Sequence, residues 1–498
     1  MLKRLAKVLS KPITMIFQES IKRRIVPKQW KIAWITVVFK KGRRLLAGNY
    51  RPISLTSVLS NLIEKIIRDH ISEHMVTNGF YSNKQYGFIK KRSAPLQLLE
   101  AMDKWTEALD KGSSVDCIYA DFQKAFDKVP HRRLMVKIRA YGISENICEW
   151  IEDFLKDRKQ IVKINGKGSK EEVMISGVPQ GSVIGPLLFV IFINDLPDLV
   201  ESILMLFADD SKIWKEINGT EDQEMLQKDL DTLKKWSLDW LLIFHPDKLK
   251  QVHISSRNEE HDTNYKIGND KVVDSKSEKD LGIIVDQRLN FEEHMLEKTK
   301  KANITMGMIR RSFQFLNRKT FLLLYKGLVR SIIEHAGTVW SPYKMKDIER
   351  VEGVQRRATA QLPGMKGKEY EERLKELKLP TLRYRRARGD MIQVYKILNG
   401  LDDNQITPKL MLSKEARGNS ENLRGKHPFH LYQKRCRLEI RKHSFTQRVV
   451  KPWNYLSREV VMAATLNEFK SKLDIEWQDQ EGLYNFRKGI YETDDPIE

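Results

Sequence analysis

The sequence predicts an α+β fold: a sheet-centred body to about residue 290, followed by a basic helical one. In the first part strand-like and helix-like segments alternate without the regular spacing of βαβ units. Between residues 203 and 214 two apolar runs flank Ala208-Asp209-Asp210, the pattern of an antiparallel hairpin with an acid pair at its tip. Beyond about Phe291 strand signals thin out and basic amphipathic helices take over.

Each element has a local reason. Residues 33–39 are rich in β-branched and aromatic side chains and close on Lys40-Lys41-Gly42, which reads as a strand and a basic turn. Leu55, Val58, Leu59, Leu62, Ile63, Ile66, Ile67 and Ile71 recur at three- and four-residue spacing, which predicts an amphipathic helix over 55–75 packed on a sheet. Residues 115–122 form another strand, so Asp121 falls at a strand end, and Pro130 sits inside or just before a helical continuation over 133–141. Helices are expected over 296–315, 319–333 and 347–362, and the acidic residues from Tyr491 onward are expected to fray.

A chain of 498 residues has material for two to four packed units, and an apolar share of 41%, spread throughout, argues against a disordered tail or fibre. A formal charge of +22 repels itself unless a polyanion or solvent offsets it. Nucleic acid is the natural partner, and a solvated charged surface is the plainer alternative. Cys117, Cys148 and Cys436 stand far apart, which excludes a disulfide framework and a CxxC zinc module and suits a reduced, intracellular protein. The longest strongly apolar stretch, 187–193, is too short to span a bilayer, and the first residues lack the features of a secretory signal.

The acid pair and Asp121 carry the chemistry. Phosphoryl transfer to a hydroxyl calls for two divalent cations about 4 Å apart, so carboxylates must converge from separate elements. Asp121 on one strand, facing Asp209-Asp210 on a neighbouring hairpin, would supply hard oxygen ligands suited to Mg2+. Taken alone, adjacent acids in a turn are more often solvated or capping. What separates the readings is the order of three segments: Tyr119-Ala120-Asp121-Phe122-Gln123-Lys124-Ala125-Phe126-Asp127, Gly177-Val178-Pro179-Gln180-Gly181-Ser182, and Phe207-Ala208-Asp209-Asp210.

In that order these segments resemble the reverse transcriptases of non-LTR, LINE-type retrotransposons, most closely the jockey-like branch, over nearly the whole chain. Asn49-Tyr50-Arg51-Pro52-Ile53-Ser54-Leu55 and Gln85-Tyr86-Gly87-Phe88 are similar to the family's fingers motifs, and Gly185-Pro186-Leu187-Leu188-Phe189 and Ile193-Asn194-Asp195-Leu196 also match. Pro246-Asp247-Lys248 resembles the palm's lysine motif and Leu281-Gly282-Ile283 its primer-grip turn. Glu334-His335-Ala336, Trp340-Ser341-Pro342-Tyr343, Val354-Gln355-Arg356-Arg357-Ala358 and Trp453-Asn454-Tyr455-Leu456 are similar to segments that follow the polymerase in these elements.

The resemblance implies a right-hand polymerase: an N-terminal helical extension over 1–24, fingers over 25–110, an antiparallel-sheet palm over 111–290, a helical thumb over 291–365 and a basic helical C-terminal region over 366–498. It implies an RNA-directed DNA polymerase, a nucleotidyltransferase that extends a DNA primer on an RNA template with dNTPs and two Mg2+ ions, Mn2+ serving as a substitute. Spacing and charge alone equally permit a DNA template. The alternative is a catalytically silent nucleic-acid-binding protein, a domesticated or decayed element. The implied setting is a ribonucleoprotein in nucleus and cytoplasm with target DNA as a further partner, no membrane and no structural zinc.

Residue roles follow from the same resemblance. Asp121 and Asp209 are the metal ligands, with Asp210 a third ligand or an electrostatic tuner. Phe126 stands where the family's ring closes the space of a ribose 2′-hydroxyl, an ordinary core aromatic being the alternative. Gln180 and Gly181 precede an apolar helix, where glycine lets backbone approach template or nucleotide; a structural turn is the alternative. Arg51 is placed to meet a triphosphate with its guanidinium fork, or to form a surface salt bridge. Lys248 is the implied proton donor to pyrophosphate, although Leu249 stands where the family often has Cys or Thr, and Ile243-Phe244-His245 replaces its asparagine-containing approach. Leu281 and Gly282 are the primer grip.

Lys40, Lys41, Arg43, Arg44, Lys90, Lys91, Arg92, Arg310, Arg311, Arg356 and Arg357, with Arg385, Arg386 and Arg388, are expected to line a track that binds phosphate without reading sequence. The fingers motif begins so early that too little chain precedes it for the endonuclease such elements generally carry, so primer extension without DNA cleavage is expected.

Overall fold

The computed structural model describes residues 4–40, 42–257, 263–313, 316–416 and 427–490. Lys41, expected among the basic groups, lies outside the described residues. Helix α1 (Ala6–Arg23) seats its C-terminal half on the body, where Trp150 Nε1 donates to Ser20 Oγ at 3.0 Å. Strands β1 (Ile32–Phe39) and β2 (Tyr50–Leu55) pair antiparallel. Helix α2 (Val58–Thr77) starts later than its apolar spacing suggests because Leu55 completes β2. It buries Ile63, Ile67, Ile71 and Met75 and leaves Val58, Leu62 and Ile66 exposed, so its apolar set is wider than the stripe it packs.

Helix α3 (Ala94–Lys111), with proline in its first turn and Gly112 in the left-handed region at its end, leads into β3 (Ser114–Asp121). Short α4 (Ala125–Lys128), α5 (His131–Ala140) and α6 (Glu145–Leu155) follow, then β4 (Lys159–Ile164), β5 (Lys167–Gly168), β6 (Glu172–Val173) and α7 (Gly185–Ile193). β4 lies parallel to β1 and joins it to β5 and β6 in a first sheet. A boundary at residue 110 therefore does not divide the sheets. Parallel partners need a long crossover, and here it contains everything from β2 to α6.

The second sheet is built by β3 with β7 (Ile203–Phe207), β8 (Asp210–Ile217), β9 (Lys250–Ile254) and β12 (Val273–Asp274); α8 (Thr220–Asp239) and a small hairpin of β10 (Lys266–Ile267) and β11 (Asp270–Lys271) intervene in the chain. Its order is β12-β9-β3-β8-β7, antiparallel except for the β12 edge. β3 is central and buried on both faces. Val115 and Cys117 enter one core, Ile118 and Ala120 the other, as the two-residue period of a strand requires. β13 (Ser277–Asp280) and β14 (Ile283–Asp286) form a separate hairpin.

The C-terminal helices begin with α9 (Glu292–Ser312), α10 (Arg318–Leu324), α11 (Ser331–Glu334), α12 (Gly337–Trp340), α13 (Met345–Ala360), α14 (Tyr370–Leu377) and α15 (Leu382–Leu398), with a π-helical turn at Tyr325–Arg330 interrupting the single helix expected over 319–333, and end with shorter helices up to Leu466–Glu476. They share one core with α3, which crosses the boundary expected at residue 365. Among the described residues no helix is long and apolar enough to cross a membrane.

Charged groups tie this body to α3. Asp103 accepts from Arg441 Nη1 and from Thr446 Oγ1, both at 2.6 Å, and Asp110 accepts the backbone N–H groups of Arg437 and Leu438 at 2.8 and 2.7 Å. The side chains of Arg441 and Asp103 are only 5% and 12% exposed, so removing one partner strands the other in a dry site. Asp103→Ala is expected to cost about 3 kcal/mol, read as a lower midpoint of urea unfolding; an unchanged midpoint would show that the anchor is idle.

Candidate active site

The register of β3 on β8 places Asp121 directly opposite Asp210, and β7 brings Phe207 opposite Asp210 from the other side. Ala208 and Asp209 are left as the two-residue turn of the β7–β8 hairpin, with Ala208 at φ 54°. Alanine in the left-handed region is strained by about 1 kcal/mol or more, so the surroundings must hold it. They do so through the segment 84–87. Tyr86 N–H donates to Leu206 O and Leu206 N–H to Lys84 O, both at 2.8 Å, while Gln85 Oε1 accepts the N–H groups of Gly87 at 2.8 Å and Ala208 at 3.1 Å. A Cβ at position 87 would sit 2.6 Å from Ala208 N, so glycine is required for this approach.

Burial, then the charge of Asp121, pushes the Asp209 carboxyl above its ordinary range. Asp210 is pushed up to about 6, first by burial and then by Asp209, Asp121 and Asp280. Lys248, in the 3-10 turn Pro246–Lys248, donates to Asp121 Oδ2. Asp121, Asp210, Lys248, Asp280 and Leu281 line one cleft of about 330 Å³. Among the described residues no three His, Cys, Asp or Glu side chains close into a ligand cluster of their own. The donor chemistry still fits a hard divalent cation. Mg2+ keeps waters and takes substrate phosphate oxygens, so it asks for one or two converging carboxylates rather than a cage, and mutual repulsion between Asp121 and Asp209 is what a cation would relieve.

On the other side of the turn, Arg51 lies on β2, and its charge acts favourably on ionised Asp209. Gly181, at φ 112°, is exposed, and the direction a side chain would take is filled by the fingers-motif strand: a Cβ there would lie 2.4 Å from Ser54 O. Ser54 N–H donates to Gln180 O at 2.8 Å, and Gln180 Nε2 to Asp127 Oδ1 at 3.1 Å. Fully buried Glu64 of α2 accepts Val183 N–H at 2.8 Å and Ile184 N–H at 3.3 Å, fixing the entry to α7. Phe126 is half-buried and stacks on Phe189, centroids 4.6 Å apart, so one face belongs to the core and part of the ring stays accessible.

A family model for reverse transcriptase (RNA-dependent DNA polymerase) matches residues 38–303, more than half of the chain. The chain belongs to the reverse transcriptase family. The probable RNA-directed DNA polymerase from transposon BS of Drosophila melanogaster is 29% identical over 369 residues, 70% of this chain and 40% of that protein. The RNA-directed DNA polymerase from mobile element jockey of Drosophila funebris is 27% identical over 365 residues, 71% of this chain and 40% of that protein. The chain thus spans about 40% of the length of these curated relatives. A solved apo telomerase from Candida tropicalis superposes with a TM-score of 0.42 at 9% identity, over 80% of this chain and 68% of that one.

In this reverse transcriptase the basic residues divide. Lys40, Arg43, Arg44, Lys90, Lys91, Arg310, Arg311, Arg356 and Arg357 are exposed, with Arg44 over the Phe39 ring and Lys91 Nζ on Gly400 O. Arg92 does not join a track. Its side chain is 4% exposed, paired with Asp403 at 2.8 Å and donating to Ser82 O and Gln85 O, so it clamps the segment that holds the Ala208-Asp209 turn. Arg386 is likewise buried, and Arg385 and Arg388 pair with Glu334 and Asp474. In the sequence Gln85 stands out only as a member of a motif and Arg92 of a basic run, and Glu64 only falls within the helix expected over 55–75. Gln85→Met should leave the N–H groups of Gly87 and Ala208 without an acceptor and cost about 2 kcal/mol in urea unfolding; a loss below about 0.5 kcal/mol, the scale of a neutral surface change, would contradict this pinning.

Proposed function

We propose that this chain is an RNA-directed DNA polymerase that extends a DNA primer on an RNA template, using dNTPs. The observation that carries the reading is the Asp121–Asp210 register with Asp209 at the adjoining turn, in a chain of this family. Asp121 and Asp209 hold divalent cations, two Mg2+ with Mn2+ as a substitute, and Asp210 tunes their field. Bound there, the cations lower the pKa of the primer hydroxyl and neutralise the departing pyrophosphate.

The protein's own groups do the rest. Arg51 offers a fork to the triphosphate, the free face of Phe126 borders the sugar, and the Gln180-Gly181 loop, held by Ser54 and Asp127, forms the wall beside them. Lys248, already on Asp121, is within the cleft from which a proton can pass to pyrophosphate. The Leu281-Gly282 turn meets the primer strand. The first sheet with α2 acts as fingers, the second as palm and α9 to α13 as thumb, while the exposed basic groups follow the phosphate backbone. Target DNA as a further partner, and a ribonucleoprotein in nucleus and cytoplasm as the setting, complete the proposal.

Asp209→Asn should lower primer extension by more than about a hundredfold with little change in folding, because an amide is a poor substitute for a charged metal ligand. Activity within about tenfold of the parent would defeat the metal assignment. Phe126→Ala should raise ribonucleotide incorporation, measured by competition of labelled dNTP and rNTP; an unchanged ratio would return Phe126 to the core.

A further inference from the structure

The hairpin of β13 and β14 carries the Leu281-Gly282 turn, yet it is a two-stranded sheet of its own, without a strand ladder to the second sheet. Ile283 and Val285 of β14 seat the hairpin in the core, and at its tip charge adds a second tie. Asp280, the last residue before the turn, meets Lys212 Nζ at 2.5 Å, and the two side chains are 6% and 3% exposed. Lys212 lies on β8 two residues beyond Asp210, and its ammonium also sits 5.7 Å from the centre of the Trp105 ring. A second, more exposed pair, Lys250 with Glu278 at 2.6 Å, ties the same strand to β9. On the far side His335 Nε2 lies 3.3 Å from Leu281 O.

A buried ion pair is a poor source of stability, because desolvating both charges offsets most of their attraction; its best-attested use is to fix registry. We propose that the pair of Lys212 and Asp280 is a positioning device that sets the height of the Leu281-Gly282 turn over Asp121 and Asp210, and so where a primer 3′ terminus rests. Both residues act through the turn and touch no substrate. The inference rests on the reading of that turn as primer-binding. A pair this dry also holds its geometry at salt concentrations that loosen phosphate contacts.

The test uses the full chain with Lys212→Met, Asp280→Leu and the double variant, on an RNA template annealed to a DNA primer ending in 4-thiothymidine. Each single variant is expected to lose about tenfold in single-turnover rate at saturating dNTP, with the dNTP KM within about twofold of the parent. Photocrosslinking of the primer terminus to residues 277–286 should fall with the rate. The double variant, with no stranded charge, should regain its urea midpoint but neither rate nor crosslink. Rate and crosslink that return with stability would make the pair merely structural and overturn the proposal, as would single variants equal to the parent in both. A parent that crosslinks its primer but adds no nucleotide would instead defeat the polymerase reading, while loss of the crosslink in the single variants would still uphold the positioning role.

Discussion

The structure depends on one register: β3 lies on β8 so that Asp121 faces Asp210, in a ladder that runs back to Ser114 and Ile217. A slip of one residue would turn every side chain of β3 to the opposite face, exchanging its two cores and removing Asp121 from the acids. Burial on both faces forbids such a slip. The helical layer with α7 and α8 takes Ile118 and Ala120, and α3 with the C-terminal helices takes Val115 and Cys117. The large C-terminal body thus helps to hold the register that brings the acids together, because α3, to which Asp103 and Asp110 bind it, lies against the same sheet.

The register concentrates negative charge, and the surrounding groups answer it in graded ways. Lys248 sits on Asp121, Arg51 acts on Asp209 from β2, and Lys212 neutralises Asp280 in the same cleft. Asp209 and Asp210 nevertheless remain harder to ionise than ordinary carboxyls, chiefly through burial. A site in this condition gains most from a cation. Around it the backbone is held by buried acceptors, Gln85 for the Ala208 turn and Glu64 for the start of α7, so that motifs far apart in the chain share one rigid frame.

What the sequence made legible was local. The β7–β8 hairpin, the strand ending at Asp121 and the amphipathic α2 each leave a pattern within a few residues. The pairing of β4 beside β1 leaves none, since a parallel partner is set by a crossover of more than a hundred residues. Single buried polar side chains were equally silent. Gln85 finds Ala208 and Lys212 finds Asp280 across 123 and 68 positions, and no periodicity announces either. Basic residues misled in the opposite sense: Arg92 and Arg386 look like their more accessible neighbours in composition, and only packing shows them inside.

The central claim, that Asp121 and Asp209, with Asp210 beside them, gather the divalent cations at one place, is tested most directly by loading the protein with Fe2+ in place of Mg2+ and mapping where locally generated hydroxyl radicals cut its backbone. The account predicts cuts confined to segments around Asp121, Asp209 and Leu281, suppressed by excess Mg2+ and lost in Asp209→Asn. Cuts clustered elsewhere, or cuts at these segments that persist in Asp209→Asn, would contradict it.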